Sequence, residues 1–204
     1  MKKILLFSAC VMLAFASCKK DSSKTTTSNT ITATVGGSNT SFNTGAAAAM
    51  AADSGAYVLA VAGSTGTSSS AQSIVVGLLS DKPFVKGTYT FDTSTDPNTI
   101  TVIPSITYLT NTSGDESSEF DSSTDINLQD STLSTTATVT ITAISSTNIQ
   151  GTFSGLLVNS GDNTTTKTVA NGKFNVALKK VNAGSLNSRI STAKMKLFKN
   201  RVRN

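Results

Sequence analysis

The sequence predicts an all-β fold, an antiparallel β-sandwich or a barrel-like sheet, with about eight to ten strands between residues 31 and 178. Apolar and polar residues alternate with a period of two, as in strands that bury one face. Clusters of Ser, Asn, Asp and Gly separate the alternating runs and favour chain reversal. No helical periodicity interrupts this span, so we expect two sheets with mostly meander connections.

The alternation is clearest in Thr135–Leu178, which predicts three antiparallel strands. Turn-forming clusters at 145–148 and 160–163 separate them. The apolar positions are Ala137, Val139, Ile141 and Ala143 in the first strand, Ile149, Gly151 and Phe153 in the second, and Phe174, Val176 and Leu178 in the third.

The N-terminal part of the domain predicts a hairpin. Ile31–Val35 and Ser38–Asn43 flank Gly36 and Gly37, and paired glycines supply the positive φ angles of a two-residue turn. The following alanine run, Ala46–Ala52, is compatible with a strand of small residues or with a short helix of about two turns, which is marginal alone. We expect the strand.

Four further strands are predicted at Tyr57–Ala62, Ser73–Leu79, Thr88–Phe91 and Thr99–Leu109. Pro104 interrupts the last of them. Because proline cannot donate a ladder hydrogen bond, this strand should lie at an edge or carry a bulge.

The first 17 residues predict a targeting segment rather than part of the fold. A charged start is followed by an apolar run too short to span a bilayer, and then by small residues. Phe15-Ala16-Ser17-Cys18 resembles the lipobox of bacterial lipoproteins, which implies cleavage before Cys18 and lipidation of its thiol and new amino group. Cys10 fits less well because cleavage there leaves a very short apolar run. The alternative is an ordinary secretory signal followed by a free thiol.

Residues 18–30 predict a polar tether with nothing to bury. Lys20-Asp21 resembles the short charged signal that directs some Bacteroidota lipoproteins to the cell surface. The expected location is therefore the outer membrane, on its periplasmic face or at the cell surface.

Composition limits the chemistry that the domain can perform. Both cysteines lie in the leader region and the chain has no histidine. Disulfides, thiolate or histidine metal sites and histidine-based catalysis are thereby excluded from the mature domain. An enzyme built on this chain would depend on carboxylates, lysine or tyrosine. No nucleophile motif is present, so we expect no catalysis and no cofactor.

Residues 110–134 predict an acidic loop. They hold six of the twelve acidic residues of the chain and few apolar ones. The spacing does not match an EF-hand-like loop, which favours a solvated, mobile insertion over a calcium site. Asp130-Ser131-Thr132 resembles the acceptor sequence for periplasmic O-glycosylation in Bacteroidota, which implies a possible glycan on Ser131.

Residues 179–204 predict a basic tail. They carry eight positive charges and no acid, whereas residues 25–178 hold four lysines against eleven acids. Leu186, Ile190, Ala193 and Leu197 recur at helical spacing, so Ser185–Val202 can form an amphipathic helix, although a disordered tail is an alternative. We expect the tail to contact an anionic membrane surface or to fold back on the acidic loop. Nucleic acid is not expected as a partner. The cations available for an anionic surface are Arg189, Lys194, Lys196, Lys199, Arg201 and Arg203.

Several short motifs occur together in a characteristic order: residues 32–37 (TATVGG), 86–89 (KGTY), 139–142 (VTIT), 149–154 (IQGTFS) and 169–176 (VANGKFNV). In order and spacing they resemble a group of small uncharacterised lipoproteins of Bacteroidota. The resemblance implies a shared fold and location, with glycines at turns and aromatic side chains pointing inward. It implies no activity and no functional residues.

Location and the excluded chemistry together lead to a functional expectation. We expect a lipid-anchored binding or structural module of the cell envelope, with a protein, a glycan or another envelope component as its partner. The alternative is a hydrolase that cleaves an extracellular glycan or polymer through carboxylates.

Overall fold

The computed structural model describes residues 29–53, 55–92, 102–112, 115–122 and 135–181. They form one mixed β-sheet of eleven strands and a single 3-10 turn, Glu116–Ser118. The strands are β1 (Thr30–Val35), β2 (Ser38–Ser41), β3 (Thr44–Asp53), β4 (Ala56–Ser64), β5 (Ser73–Ser80), β6 (Gly87–Asp92), β7 (Val102–Leu109), β8 (Glu119–Asp121), β9 (Thr136–Ile144), β10 (Asn148–Asn159) and β11 (Thr166–Lys180).

The sheet closes on itself as a barrel-like ring. Its neighbour order is β2-β1-β11-β3-β4-β5-β7-β8-β10-β9-β6, and β10 also pairs with β11. Seven strands therefore complete the ring, while the pairs β1–β2 and β9–β6 branch from β11 and β10. The predicted all-β fold is confirmed, including its barrel-like form.

The connections are less regular than a meander. Strands β3, β4 and β5 do follow one another, but β6 crosses to pair with β9, and β1 pairs with β11. All pairings are antiparallel except that of β11 with β3, which is parallel over three residues. That short parallel contact closes one side of the ring.

The two local predictions at the N-terminal end of the domain are confirmed. Gly36 and Gly37 have φ angles of 54° and 85° between β1 and β2, as a two-residue hairpin turn requires. The alanine run is a strand, β3, which pairs with β4 along its length. Ladder hydrogen bonds and burial against β4 outweigh the helix propensity of alanine.

Pro104 lies in β7, a strand with one neighbour on each side in the sheet, β5 and β8. Ile106 donates its N–H to Ser122 Oγ at 2.7 Å and accepts from Ser122 N at 3.0 Å on the β8 side. Since backbone groups alternate sides with a period of two, Pro104 directs its missing N–H to that same side. There β8 has already ended, because it pairs only with residues 107–109. Strand β7 is thus interior in the sheet order, and among the described residues no strand pairs with it on the side to which Pro104 directs its missing N–H.

Two phenylalanines lock β10 to β11 at the centre of the fold. Phe153 pairs with Gly172, and Gly151 pairs with Phe174. The two rings stack with centroids 6.3 Å apart, and both phenylalanines are almost fully buried. The aromatic side chains point inward as expected, but Gly151 and Gly172 lie in mid-strand rather than in turns. Each glycine supplies the space that the opposite ring occupies.

Strand β11 bends next to this lock. Its register shifts against β10 between Val169 and Gly172 and against β1 between Ala170 and Lys173, and Asn171 adopts a φ of 53° there. Asparagine tolerates the left-handed region better than other residues with side chains. The resulting bulge lets one 15-residue strand pair with β10 on one side and with β1 and then β3 on the other.

Two segments are more ordered than the sequence predicted. The eleventh strand, β8, and the 3-10 turn before it lie inside the acidic loop, and β8 bridges β7 to β10 in the ring. At the other end, β11 continues through Lys179 and Lys180, and Val181 N donates to Met50 O at 2.9 Å. The last strand therefore ends at Lys180, two residues beyond Leu178, where the sequence predicts its end.

We expect Gly151→Ala and Gly172→Ala each to lower the free energy of unfolding by about 1–3 kcal/mol, as overpacking does. A Cβ on Gly151 would collide with Thr140 O and the Phe174 ring, and one on Gly172 with Phe153 O and its ring. Gly66→Ala is the matched control, because the nearest atom to its Cβ would be Ala71 Cβ at 3.9 Å. Urea unfolding measures all three. Equal stability of the three variants would contradict the lock.

Candidate binding face

The outward surface of β6, β9, β10, β11, β1 and β2 is polar and nearly uncharged. We call it the hydroxyl face. Most of its side chains are threonines, and the rest are serine, asparagine, glutamine and one lysine. The members are Thr88, Thr90, Thr136, Thr138, Thr140, Gln150, Thr152, Ser154, Lys173, Asn175, Thr30, Thr32, Thr34, Asn39 and Ser41.

Local sequence explains why these residues face outward. In β9, Thr136, Thr138 and Thr140 alternate with Ala137, Val139 and Ile141, whose side chains are buried in the ring. Threonine suits this role because its β-branched side chain favours strands while its hydroxyl remains in contact with water. The same alternation holds in β1, with three threonines outward and Ile31, Ala33 and Val35 inward.

Strand register aligns these side chains into rows that cross the strands. One row runs across six strands through directly paired residues, and neighbouring strands are about 4.8 Å apart. A second, shorter row passes through Thr90, Thr138 and Ser154. The long row consists of Thr88, Thr140, Thr152, Lys173, Thr32 and Ser41.

Some neighbours in the rows bond to each other. The hydroxyls of Thr88 and Thr140 are 2.9 Å apart, and Thr34 Oγ1 donates to Asn39 Oδ1 at 2.8 Å. Asn148 Nδ2 donates to Asn175 Oδ1 at 3.0 Å. A hydroxyl offers one donor and two acceptor sites, so each of these groups keeps capacity for a further partner. The face can therefore exchange hydrogen bonds with a ligand without losing its internal ones.

Charge is nearly absent from this surface. Among the side chains that the structure describes on the six strands, the ionised groups that face outward are Lys173 and, near the end of β11, Lys179. Lys179 lies outside the rows, where β11 pairs with β3. An uncharged array of hydroxyls and amides favours a neutral, hydrogen-bonding ligand over an ion, because nothing on it offsets the desolvation of a charged group.

A second feature lies at one end of the ring interior. Lys167 pairs with Leu157, which is fully buried, so its side chain points inward. The ammonium lies 4.8 Å from the ring centroid of Phe120 and 5.7 Å from that of Tyr108. Both distances fall within the range of cation–π attraction. Burial raises the pKa of Tyr108, because it disfavours the phenolate. The Lys167 ammonium therefore packs against the aromatic core.

The turn between β10 and β11 is fastened by two polar side chains. Asn159 is buried, accepts from the N–H groups of Gly161 and Asp162, and donates to Ser117 O at 2.9 Å. It thereby ties the 3-10 turn of the acidic loop to the ring. Asp162 accepts from Thr164 N and Thr165 N, each at 2.8 Å, and from Thr165 Oγ1. The Thr165 hydroxyl and these N–H groups lower the pKa of the Asp162 carboxyl to about 2.

The described part of the acidic loop does not gather its carboxylates. Of the six acids, Asp115, Glu116, Glu119 and Asp121 are described, and Glu119 is almost fully buried in β8. Within the described ranges, no three acidic side chains come close enough together to hold a metal ion. Asp125 and Asp130 lie outside those ranges, so the calcium hypothesis for the whole loop stays a prediction.

The modification and tail predictions also fall outside the described residues. Cys18, the predicted lipidation site, and Ser131, the predicted glycosylation site, stay predictions. The same holds for the six tail cations Arg189, Lys194, Lys196, Lys199, Arg201 and Arg203.

The hydroxyl face was missed by the sequence reasoning. The alternation in this part of the sequence predicts strands that bury one face, but a single such strand predicts only a solvated surface opposite. The alignment of Thr88, Thr152 and Thr32 with Thr140 depends on the order β6-β9-β10-β11-β1, which non-local pairing decides.

Comparisons with known proteins found no relative. No model of a known protein family, no curated protein and no solved structure matches this chain. In the described residues no helix has the length and apolar character needed to cross a membrane.

We expect Asp162 to make stability depend on acid pH. Its pKa falls from an ordinary value of 3.8 to about 2 on folding, so its contribution is present above pH 3.8 and is lost as the pH falls toward 2. Asp162→Asn should lower the Tm at pH 6, and the gap to the wild type should narrow between pH 4 and pH 2. Thr165→Val, which removes one donor, should give a smaller gap with the same trend. A gap that stays constant over this pH range would contradict the assignment.

Proposed function

We propose that this protein is an exported, lipid-anchored binding module of the cell envelope that takes a neutral glycan on its hydroxyl face. It would then belong with the small Bacteroidota lipoproteins that its motifs resemble. The single observation that supports the binding surface is the six-strand row of hydroxyl and amide side chains with one charge in it.

The chemistry of the surface favours a polyhydroxylated ligand. Sugars present donors and acceptors at short intervals, and the hydroxyl face offers both from every threonine. Exposed hydrogen bonds contribute only about 0.5–1.5 kcal/mol each, so one sugar ring would bind weakly. A polymer that engages several rows at once gains affinity through effective concentration. A repeating polymer therefore suits this face better than a free monosaccharide.

The anchor would hold the face at a useful distance from the membrane. Ten residues separate Cys18 from Asn29, where the described domain begins. Fully extended, ten residues span at most about 35 Å. Asn29 Oδ1 accepts from Ala177 N at 2.8 Å, so the tether would start beside β11 at one end of the sheet. The ends of the strands, rather than the hydroxyl face, would then be nearest the bilayer.

The hydrolase alternative gains no support from the described residues. Glycoside hydrolysis requires two carboxyl groups facing each other across a cleft. In the described ranges no three acidic side chains come together, and the Asp162 carboxylate is already engaged by the N–H and hydroxyl groups of its turn.

The binding prediction can be tested with insoluble polymers. The full chain should be retained by cellulose, an uncharged polymer, and the triple variant Thr138→Val, Thr140→Val and Thr152→Val should bind about tenfold more weakly or worse, since each 1.4 kcal/mol is tenfold. Valine keeps the shape and strand preference of threonine and removes the hydroxyl. Thr67→Val, in the exposed β4–β5 loop, is the matched control and should bind normally. Equal retention of the triple variant and the wild type would refute binding at the hydroxyl face.

Anchoring is tested separately. Cys18→Ala should move the protein from the membrane fraction to the soluble fraction of cells, because the lipid chains are lost. Cys10→Ala should leave it in the membrane fraction and is the matched control. Membrane retention of Cys18→Ala would refute lipidation at this residue. Protease treatment of intact cells then shows which side of the outer membrane the anchored protein faces.

A further inference from the structure

Strands β3, β4 and β5 form the wall of the ring opposite the hydroxyl face. This wall is apolar on the side that faces the core and also on its outer side. In β3, β4 and β5 the residues Ala48, Val61 and Val76 face the core, so their sequence neighbours face outward. These outward residues are small and apolar and pair with one another across the strands. We call them the alanine face: Ala49, Ala51, Ala60, Ala62, Val75 and Gly77.

The alanine face is buried, apart from the half-buried Gly77, although it lies outside the ring. Ala62 is 0% exposed and Ala60 is 3% exposed. Alanine methyl groups reach only a short way above a pleated sheet whose strands are about 4.8 Å apart, so neighbouring alanines shield each other little from water. Of the described strands, none crosses this face, since the two branches place their apolar residues, such as Ile31 and Val139, in the ring core. A further layer of chain must therefore cover it.

A polar atom on the same side also requires a partner. Ser73 begins β5 and shares its outward side with Val75 and Gly77. It is 1% exposed, and its Oγ has no hydrogen-bond partner among the residues that the structure describes. A buried hydroxyl without a partner is unfavourable, so the covering layer is expected to bring a donor or acceptor to it.

We propose that the C-terminal segment 182–204 is this layer, and that it docks on the alanine face as an amphipathic helix. The chain leaves the described domain at Val181, whose N–H donates to Met50 O at 2.9 Å. Met50 lies in β3, the first strand of the alanine face. The segment therefore starts at the edge of the surface that needs a cover.

Size and composition agree with this assignment. Residues 185–202 as a helix would be about 27 Å long, close to the about 30 Å of a nine-residue strand. In the docked helix, Leu186, Ile190 and Leu197 would place large side chains against the small residues of the alanine face. Large residues facing small ones allow two layers to interdigitate. The segment also has no acid to bury. The internal segments 93–101 and 123–134, by contrast, are mostly polar.

Docking also determines how the tail meets a membrane. With its apolar stripe against the alanine face, the segment turns its lysines and arginines to solvent. Contact with an anionic bilayer would then be electrostatic and weakened by salt, without insertion of the stripe.

Thiol reactivity tests the docking in the full chain. When Cys10→Ser and Cys18→Ser remove both native thiols, Ala62→Cys supplies the only thiol of the chain. That thiol should react slowly with a maleimide. Adding Ile190→Asp and Leu197→Asp should raise the rate by about tenfold or more, because the cover is released and reactivity follows exposure. Thr152→Cys, on the hydroxyl face, should react rapidly with and without the tail substitutions.

The competing cover is the apolar leader, and a matched pair of substitutions distinguishes it. Leu5→Asp with Leu13→Asp should leave the Ala62→Cys rate unchanged. If only the leader substitutions raise the rate, or if the Ala62→Cys thiol reacts rapidly in the unaltered chain, the proposal is overturned. A rate that stays slow in every background would also overturn it, since another segment would then be the cover. Ala60→Cys replaces Ala62→Cys if the latter fails to fold, as judged by its Tm.

Discussion

The reciprocal pairing of two phenylalanines with two glycines across β10 and β11 is the constraint on which the rest of the structure depends. Each ring fills the space above the opposite glycine, and the register cannot slip by one residue without placing a ring against a Cβ. This register fixes which residues of β11 remain for β1 and β3. Through those pairings the same lock sets the closure of the ring and the rows of the hydroxyl face.

The two walls of the ring differ in what they offer to the outside. One wall carries aligned threonines in contact with water, whereas the other carries small apolar residues that are hidden from it. A sheet that is apolar on both sides needs a layer on each side. This asymmetry separates the proposed roles, since the polar wall is available to a ligand and the apolar wall to the chain itself.

Burial in the acidic segment comes from its position in the ring. Strand β8 has only three residues, yet it joins β7 to β10, and Glu119 is buried within it. Asn159 and the Ser160 N–H, which donates to Glu119 O at 2.9 Å, bind the segment to the β10–β11 turn. The composition of this segment predicts a solvated loop, but its strand β8 completes a closed sheet. Closure removes two strand edges that would otherwise be exposed.

The sequence by itself determined the class of fold and most of the strands, because alternation and turn residues act over a few neighbours. It predicted the Gly36-Gly37 hairpin, the strand character of Ala46–Ala52 and the inward aromatic residues correctly. Only the tertiary structure decided which strands are neighbours, since pairs such as β1 with β11 join residues more than a hundred positions apart. The role of Gly151 and Gly172, the extension of β11 to Lys180, strand β8 and the threonine rows all follow from that pairing. The physical reason is that burial and register are properties of two strands together, and one strand alone specifies only its own two faces.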